Sequence, residues 1–308
     1  AWASPCSRAA AGSGEKLYNE FVEKGQIYGD EAWQEYVYKL GHRLLAHSRD
    51  EGKEYNFFML DNSGINAFAT PDAYIFINRG LVAFLSSEDE LAAVVGHEIG
   101  HVVARHARRQ KTVNLFGKSV GLLAAIYTGR GELLGVSNAA TGAVVSGYGR
   151  EMELEADRYG AEFLAKAGYN PLSIIDVVQV LKDQELFAKQ VANKQPSYHG
   201  LFATHPKNDK RLRDAVAYAQ SLLPDQVVDP IDDFWEMIDG MVYGDGSTNG
   251  LVKDSTYYHS GLRMVIEFPK GWALTNSHSS VTGTAPGGND EAFIILARHE
   301  REKNLSPE

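Results

Sequence analysis

The 308-residue chain reads as an α+β protein, mainly helical with a small sheet and followed by a small C-terminal β module. Three observations point there. Apolar residues recur at helical spacing in long runs, of which Trp33, Val37, Leu40 and Leu44 form the first. Tyr55 to Leu60 and Asn66 to Asn78 are instead rich in aromatic and β-branched residues, broken by Gly64 and Pro71, and read as strands. Late in the chain, Tyr257-Tyr258, Met264 to Phe268 and Phe293 to Leu296 are short strand-like runs separated by Gly, Pro and Asn turns.

In chain order, residues 1–14 form a polar, Ala/Gly/Ser-rich leader in which Ala1-Trp2-Ala3 has the A-x-A form of a signal-peptidase site. It is read as the remnant of an export signal. Cys6 is the sole cysteine, so an internal disulfide is excluded. Lipidation of Cys6 would put the chain on a membrane surface, although Pro5 fits that processing poorly; a free thiol is the plainer reading. Residues 15–224 are expected to form the main domain, 225–250 a linker with one short helix around Trp235, and 251–308 a small β module, incomplete at its charged end.

Hydrophobic residues make up 44% of the chain, which argues against global disorder. The net charge of −10 and the lack of a Lys/Arg-rich stretch argue against a nucleic-acid partner. No segment reaches the roughly 18 apolar residues of a transmembrane helix. Val120 to Tyr127 comes nearest, inside a Gly/Ala-rich span from Asn114 to Gly147 that reads as two buried helices or a membrane-surface contact.

The chemistry is concentrated in His97-Glu98-Ile99-Gly100-His101. Ser87 followed by Glu90 is a capping-box signature, and Leu91, Val94, Val95, Ile99 and Val102 then recur at helical spacing, so the motif belongs to a buried helix. Residues four apart share a helix face, so His97 and His101 can grip one ion together. Glu98 is placed to hold a water against that ion and take its proton. A buried Glu without a partner costs several kcal/mol, and a metal site supplies that partner.

Two histidines leave zinc short of ligands, since a catalytic site holds three protein ligands and a water. The next candidates lie in Arg150-Glu151-Met152-Glu153-Leu154-Glu155-Ala156-Asp157. Glu153 and Asp157 share one helix face, Glu151 and Glu155 another. Leu154, Tyr159, Ala161 and Leu164 do not settle which pair points inward. An Asp one turn beyond a ligand Glu makes chemical sense, because it can accept the remaining N–H of a ligating imidazole.

With these residues in view, the chain resembles the HtpX/BepA-type gluzincin metallopeptidases, whose membrane relatives include the CAAX-prenyl proteases. That family joins HExxH to a downstream ExxxD, here Glu153 to Asp157. The resemblance implies a zincin-like metalloprotease domain holding one Zn²⁺ per chain through His97, His101 and Glu153, with Glu98 as general base. Asp157 would then support a zinc histidine, and Glu155 would stand aside. Asn66-Ala67-Phe68 would be the cleft-edge strand that takes an extended peptide through backbone hydrogen bonds. Thr204-His205-Pro206 with Arg211-Leu212 resembles the family's late HP-x4-R motif. His205 would accordingly be a regulatory fourth ligand or an oxyanion stabiliser, while the residues alone read His205-Pro206 as a helix start. Arg211 would orient Glu153 and Asp157 or make a surface ion pair. One departure is Gly149-Arg150 where relatives often carry Ser-Arg.

His106, nine residues after His97 on an extended helix, lies about half a turn off the ligand face and is read as structural. His42, His47, His199, His259, His278 and His299 have no ligand-spaced neighbour. The absence of a transmembrane run departs from membrane-embedded relatives and points to the soluble, exported branch: periplasmic or secreted, with polypeptide substrates and an association with outer-membrane proteins or the membrane surface. The implied function is cleavage of unfolded or misassembled envelope proteins. A latent chaperone-like zinc protein closed by His205, or a cell-wall peptide amidase, are the rival readings.

Overall fold

The computed structural model describes residues 12–109, 148–190, 209–223, 234–244, 246, 250–277, 280–286 and 292–297. They divide into two compact units, one running up to Met241 and one from Val242 onward.

The first unit is built around a three-stranded sheet of order β1-β3-β2. β1 (Asn56–Leu60) and β3 (Tyr74–Asn78) pair in parallel, Phe57 opposite Ile75 and Met59 opposite Ile77. β2 (Ala67–Ala69) pairs antiparallel with β3, and among the described residues its other side is a sheet edge. Alternation along the strands sends Phe57, Met59, Ala67, Ile75 and Ile77 to one core, and Phe68, Phe76 and Leu60 to another. α1 (Ser13–Glu23) covers the second with Leu17 and Phe21, whose ring meets Phe76 edge-on at 5.2 Å. α2 (Glu31–Leu45) covers the first. Asp30 caps it by accepting from the amides of Ala32 and Trp33, and its stripe of Trp33, Val37, Leu40 and Leu44 is buried. Each such side chain contributes about 1.5–3 kcal/mol of burial energy.

After β3 the chain turns through α3 (Arg79–Val82), where Arg79 is wholly buried on Asp61 at 2.9 Å. Gly80 is required there, because its backbone runs against the carbonyl of Ser63 with no room for a Cβ. α4 (Glu88–Val103) then crosses the core. Its cap is the expected box in slightly shifted form. Ser87 accepts from the Glu90 amide at 3.2 Å, and the Glu90 carboxylate reaches back to the amide of Ser86 at 2.6 Å. Arg105, at φ +56°, ends this run, and α5 (His106–Arg109) leaves in a new direction.

α6 (Arg150–Ala167) ends on Gly168, at φ +87°, where the Gly-Tyr-Asn-Pro sequence supplies the left-handed glycine cap and the proline that follows it. α7 (Ser173–Gln190) follows, then α8 (Asp209–Gln220) and α9 (Phe234–Ile238). Phe234 of α9 is fully buried and meets Trp33 at right angles, 6.3 Å between centroids. Among the described residues no helix is long and apolar enough to cross a membrane.

The second unit is a pair of antiparallel three-stranded meanders. One joins β4 (Leu251–Lys253), β5 (Thr256–His259) and β6 (Met264–Glu267); the other joins β7 (Ala273–Ser277), β8 (Ser280–Thr284) and β9 (Phe293–Ala297). Its buried centre is Tyr257, Phe268 and Val281. The α+β class predicted for the chain, helical with a small sheet and then a strand module, is the one found.

Candidate metal centre

The site lies where α4 and α6 cross, and glycine sets how closely. A Cβ on Gly100 would stand 2.8 Å from the carbonyl oxygen of Ala156, and one on Gly160 would stand 3.1 Å from the backbone nitrogen of His97. Gly96 faces the Cα of Gly160 in the same way, its Cβ 3.4 Å away. With no side chains between them, the two backbones touch. The upper face of α6 thus delivers its carboxylates directly onto the imidazoles of α4.

Three side chains converge there: His97, His101 and Glu153, all buried. His97 Nε2 and His101 Nε2 are 3.0 Å apart. Glu153 reaches the first at 3.6 Å and the second at 3.5 Å, one carboxylate oxygen to each. A tetrahedral zinc with ligands at about 2.0–2.2 Å separates neighbouring donor atoms by about 3.3–3.5 Å. The donor set and the size of the triangle therefore both fit Zn²⁺. Three buried polar side chains from two helices, and no lysine or arginine among them, also suit a cation better than an internal salt bridge. Glu98 is 1% exposed on the same helix. Of the three competing glutamates, Glu153 is the one that faces the histidines; Glu151 is exposed.

Contacts behind the triad differ for the two histidines. His97 Nδ1 lies 2.8 Å from the Asp157 carboxylate, itself 4% exposed. His101 Nδ1 lies 2.9 Å from His106 Nδ1, and His106 Nε2 lies 3.1 Å from Glu155. Arg109 donates to the same Glu155 oxygen at 2.6 Å. Two expectations are corrected here. His106 is not off the site, because the chain breaks at Arg105 and folds His106 back against His101. Glu155 does not stand aside but anchors His106. Burial holds the His106 imidazole below the ordinary histidine value, against the pull of Glu155. Burial pushes the Glu155 carboxyl up, but hydrogen bonds from His106 and Arg109 outweigh it and leave it below the usual range.

Tyr148 was not singled out in the sequence either. Its ring stacks on His101, centroids 4.1 Å apart and 26° between planes. Burial, then the charges of Glu98 and Glu153, push its phenol above the usual tyrosine value. Tyr148, His101, Arg105, Ala69 and Thr70 line one cavity, which runs from the His101 side of the site to the end of β2.

Among the described residues β2 is the sheet edge on that side. Ala67 is fully buried, and Phe68 packs on Phe76 in the far core with centroids 5.1 Å apart. The strand therefore presents backbone, not side chains. Just before it, Asn66 is buried, and neither its amide nitrogen nor its amide oxygen has a partner among the described residues. His205 lies outside the described residues, as do Cys6 and the Gly/Ala-rich span; Arg211 belongs to α8, but its side chain is not described.

This fold and this His/His/Glu triangle define a metallopeptidase-type centre. Residues 31–219 match Peptidase family M48, and the chain belongs to that family of zinc metallopeptidases. It is 31% identical over 215 residues to the putative beta-barrel assembly-enhancing protease of Vibrio cholerae, covering 67% of this chain and 43% of that protein. With the beta-barrel assembly-enhancing protease of Escherichia coli K12 it shares 28% identity over 232 residues, 72% of this chain and 46% of that one. The mitochondrial metalloendopeptidase OMA1 of Arabidopsis thaliana is 31% identical over 203 residues, 65% of this chain and 39% of that protein. The chain thus spans less than half the length of these relatives.

Proposed function

We propose that this chain is a zinc-dependent endopeptidase that cleaves unfolded or misassembled proteins of the cell envelope. The single observation that carries the reading is the 3.0–3.6 Å triangle of His97, His101 and Glu153 with Glu98 buried beside it. Zinc, when bound, supplies a Lewis acid for the scissile carbonyl and acidifies a water to a pKa of about 7. Glu98 takes the attacking water's proton and passes it to the departing amine, a role worth about 10²–10⁴-fold in rate. Asp157 holds His97 in its Nδ1–H form, leaving Nε2 for the metal. His205 stabilises the developing oxyanion or occupies the open position until substrate arrives, and Arg211 orients the carboxylates of Glu153 and Asp157.

Substrate is bound as an added strand on the outer side of β2, at Asn66, Ala67 and Phe68, where no strand pairs among the described residues. Support comes from the inward-facing side chains of that strand, which leave backbone as its recognition surface. Backbone recognition gives affinity with little sequence preference, as a protease of unfolded chains needs. The unpartnered Asn66 amide, with both a donor and an acceptor, suits a peptide backbone in the same way. The names of the bacterial relatives favour a setting near outer-membrane proteins, in the periplasm or outside the cell. In domain terms, residues 15–224 are the protease and 251–308 a separate module; the 225–250 segment read as a linker joins them, with its helix α9 packed on the first unit through Phe234.

The test is Glu98→Gln in the full chain, assayed on an unfolded protein such as casein. Zinc content is expected to be unchanged and cleavage to fall at least a hundredfold. Cleavage at the wild-type rate would overturn the assignment.

A further inference from the structure

His101 and His97 grip the same ion in this reading, yet the group in contact with His101 Nδ1 is not a carboxylate like Asp157. Behind it is a second imidazole, fully buried, and behind that a carboxylate that is a third exposed and held by an arginine. We propose that His106 and Glu155 are positioning residues for the ligand His101, acting through it as a two-step relay that ends at the surface on Arg109. The proposal rests on the zinc reading of the triad.

Proton counting makes the arrangement directional. An imidazole that gives Nε2 to a cation keeps its hydrogen on Nδ1. His101 Nδ1–H must then donate across the 2.9 Å contact, and His106 Nδ1 must be bare to accept it. That leaves the His106 hydrogen on Nε2, pointing at the Glu155 carboxylate 3.1 Å away, which can only accept. Arg109, at 2.6 Å, fixes the carboxylate in turn. With both imidazoles neutral, each contact thus has one donor and one acceptor, and the tautomers that satisfy all of them are the ones zinc binding by His101 requires. With Glu155 absent, His106 is free to carry its hydrogen on Nδ1, where it opposes that of His101.

The backbone is shaped to make this contact. Arg105 sits at φ +56°, in the left-handed region that favours glycine, and it is this turn that swings His106 back under His101. Supporting contacts of this kind are worth about 10–100-fold in metal affinity elsewhere.

The test measures the zinc dissociation constant of the full chain by competition with a chromogenic chelator, in Glu155→Ala, His106→Ala, the double variant and His106→Asn. Glu155→Ala is expected to weaken zinc about tenfold, with the double variant no weaker than His106→Ala alone, because the two act in series. His106→Asn, whose carbonyl can stand where Nδ1 stands, should recover most of the loss seen in His106→Ala and be insensitive to Glu155→Ala. The visible spectrum of the Co²⁺-substituted protein should shift in Glu155→Ala. If His106→Ala does not fold, Glu155→Ala and the His106→Asn pair decide. Wild-type affinity in Glu155→Ala, or losses that simply add, would overturn the relay and leave the protease reading intact. A wild-type chain that takes up no stoichiometric zinc would overturn both.

Discussion

The two units of this chain spend similar residues very differently. In the first, both faces of a three-stranded sheet are covered, by α1 on one side and by α2 and α4 on the other. In the second, six strands close on Tyr257, Phe268 and Val281, while Leu251, Val265, Phe293, Ile294 and Ile295 remain about half exposed. The contrast teaches what a buried polar site demands. Three polar ligand side chains can be kept dry and in register only inside a rigid apolar surround, and only the first unit provides one. A domain whose buried cluster, among the described residues, is Tyr257, Phe268 and Val281 has no such interior to lend.

Breaking the contrast at its strongest point means separating α4 from α6. Gly100→Val should push the helix axes apart against Ala156, abolishing zinc binding and all cleavage in addition to about 1–3 kcal/mol of overpacking. Metal analysis of the purified variant checks this. Next in size, Phe76→Ala removes a ring in contact with Phe21, Phe58 and Phe68 and should cost about 3–5 kcal/mol, read by chemical denaturation. The equivalent cut in the second unit, Phe268→Ala, should cost a similar amount locally. Limited proteolysis should then find cleavage sites opened between residues 250 and 297 while zinc content stays at the wild-type level. Loss of zinc in Phe268→Ala would mean that the two units are not independent in the way their cores suggest. Smallest of all, Glu151→Ala touches an exposed face and should change neither zinc content nor activity measurably.

Much of this was legible in the residues. HExxH has its helix announced by Ser87 and Glu90, and the stripe from Leu91 to Ile99 places that helix inside. The strands around Phe57 and Ile75 and the stop at Gly168 were equally readable, since each rests on local chemistry. Glu153 could not be chosen over Glu151 and Glu155 on periodicity, because the phase of α6 is set by a long-range contact, glycine against backbone, that no local pattern records. The family resemblance singled out the residue that the geometry brings to the histidines. His106 was misplaced for a different reason. Counting from His97 assumes an unbroken helix, and the left-handed turn at Arg105 has no signal in an arginine. Tyr148 carried no signal beyond being an aromatic before a glycine; its significance is the ring beneath it.

The most direct measurement is the zinc-to-protein ratio of metal-replete, gel-filtered wild-type chain beside Glu153→Ala. One zinc per chain in the former and essentially none in the latter is the expected result. A wild-type chain without stoichiometric zinc, or a Glu153→Ala variant that binds it as well, would contradict the account.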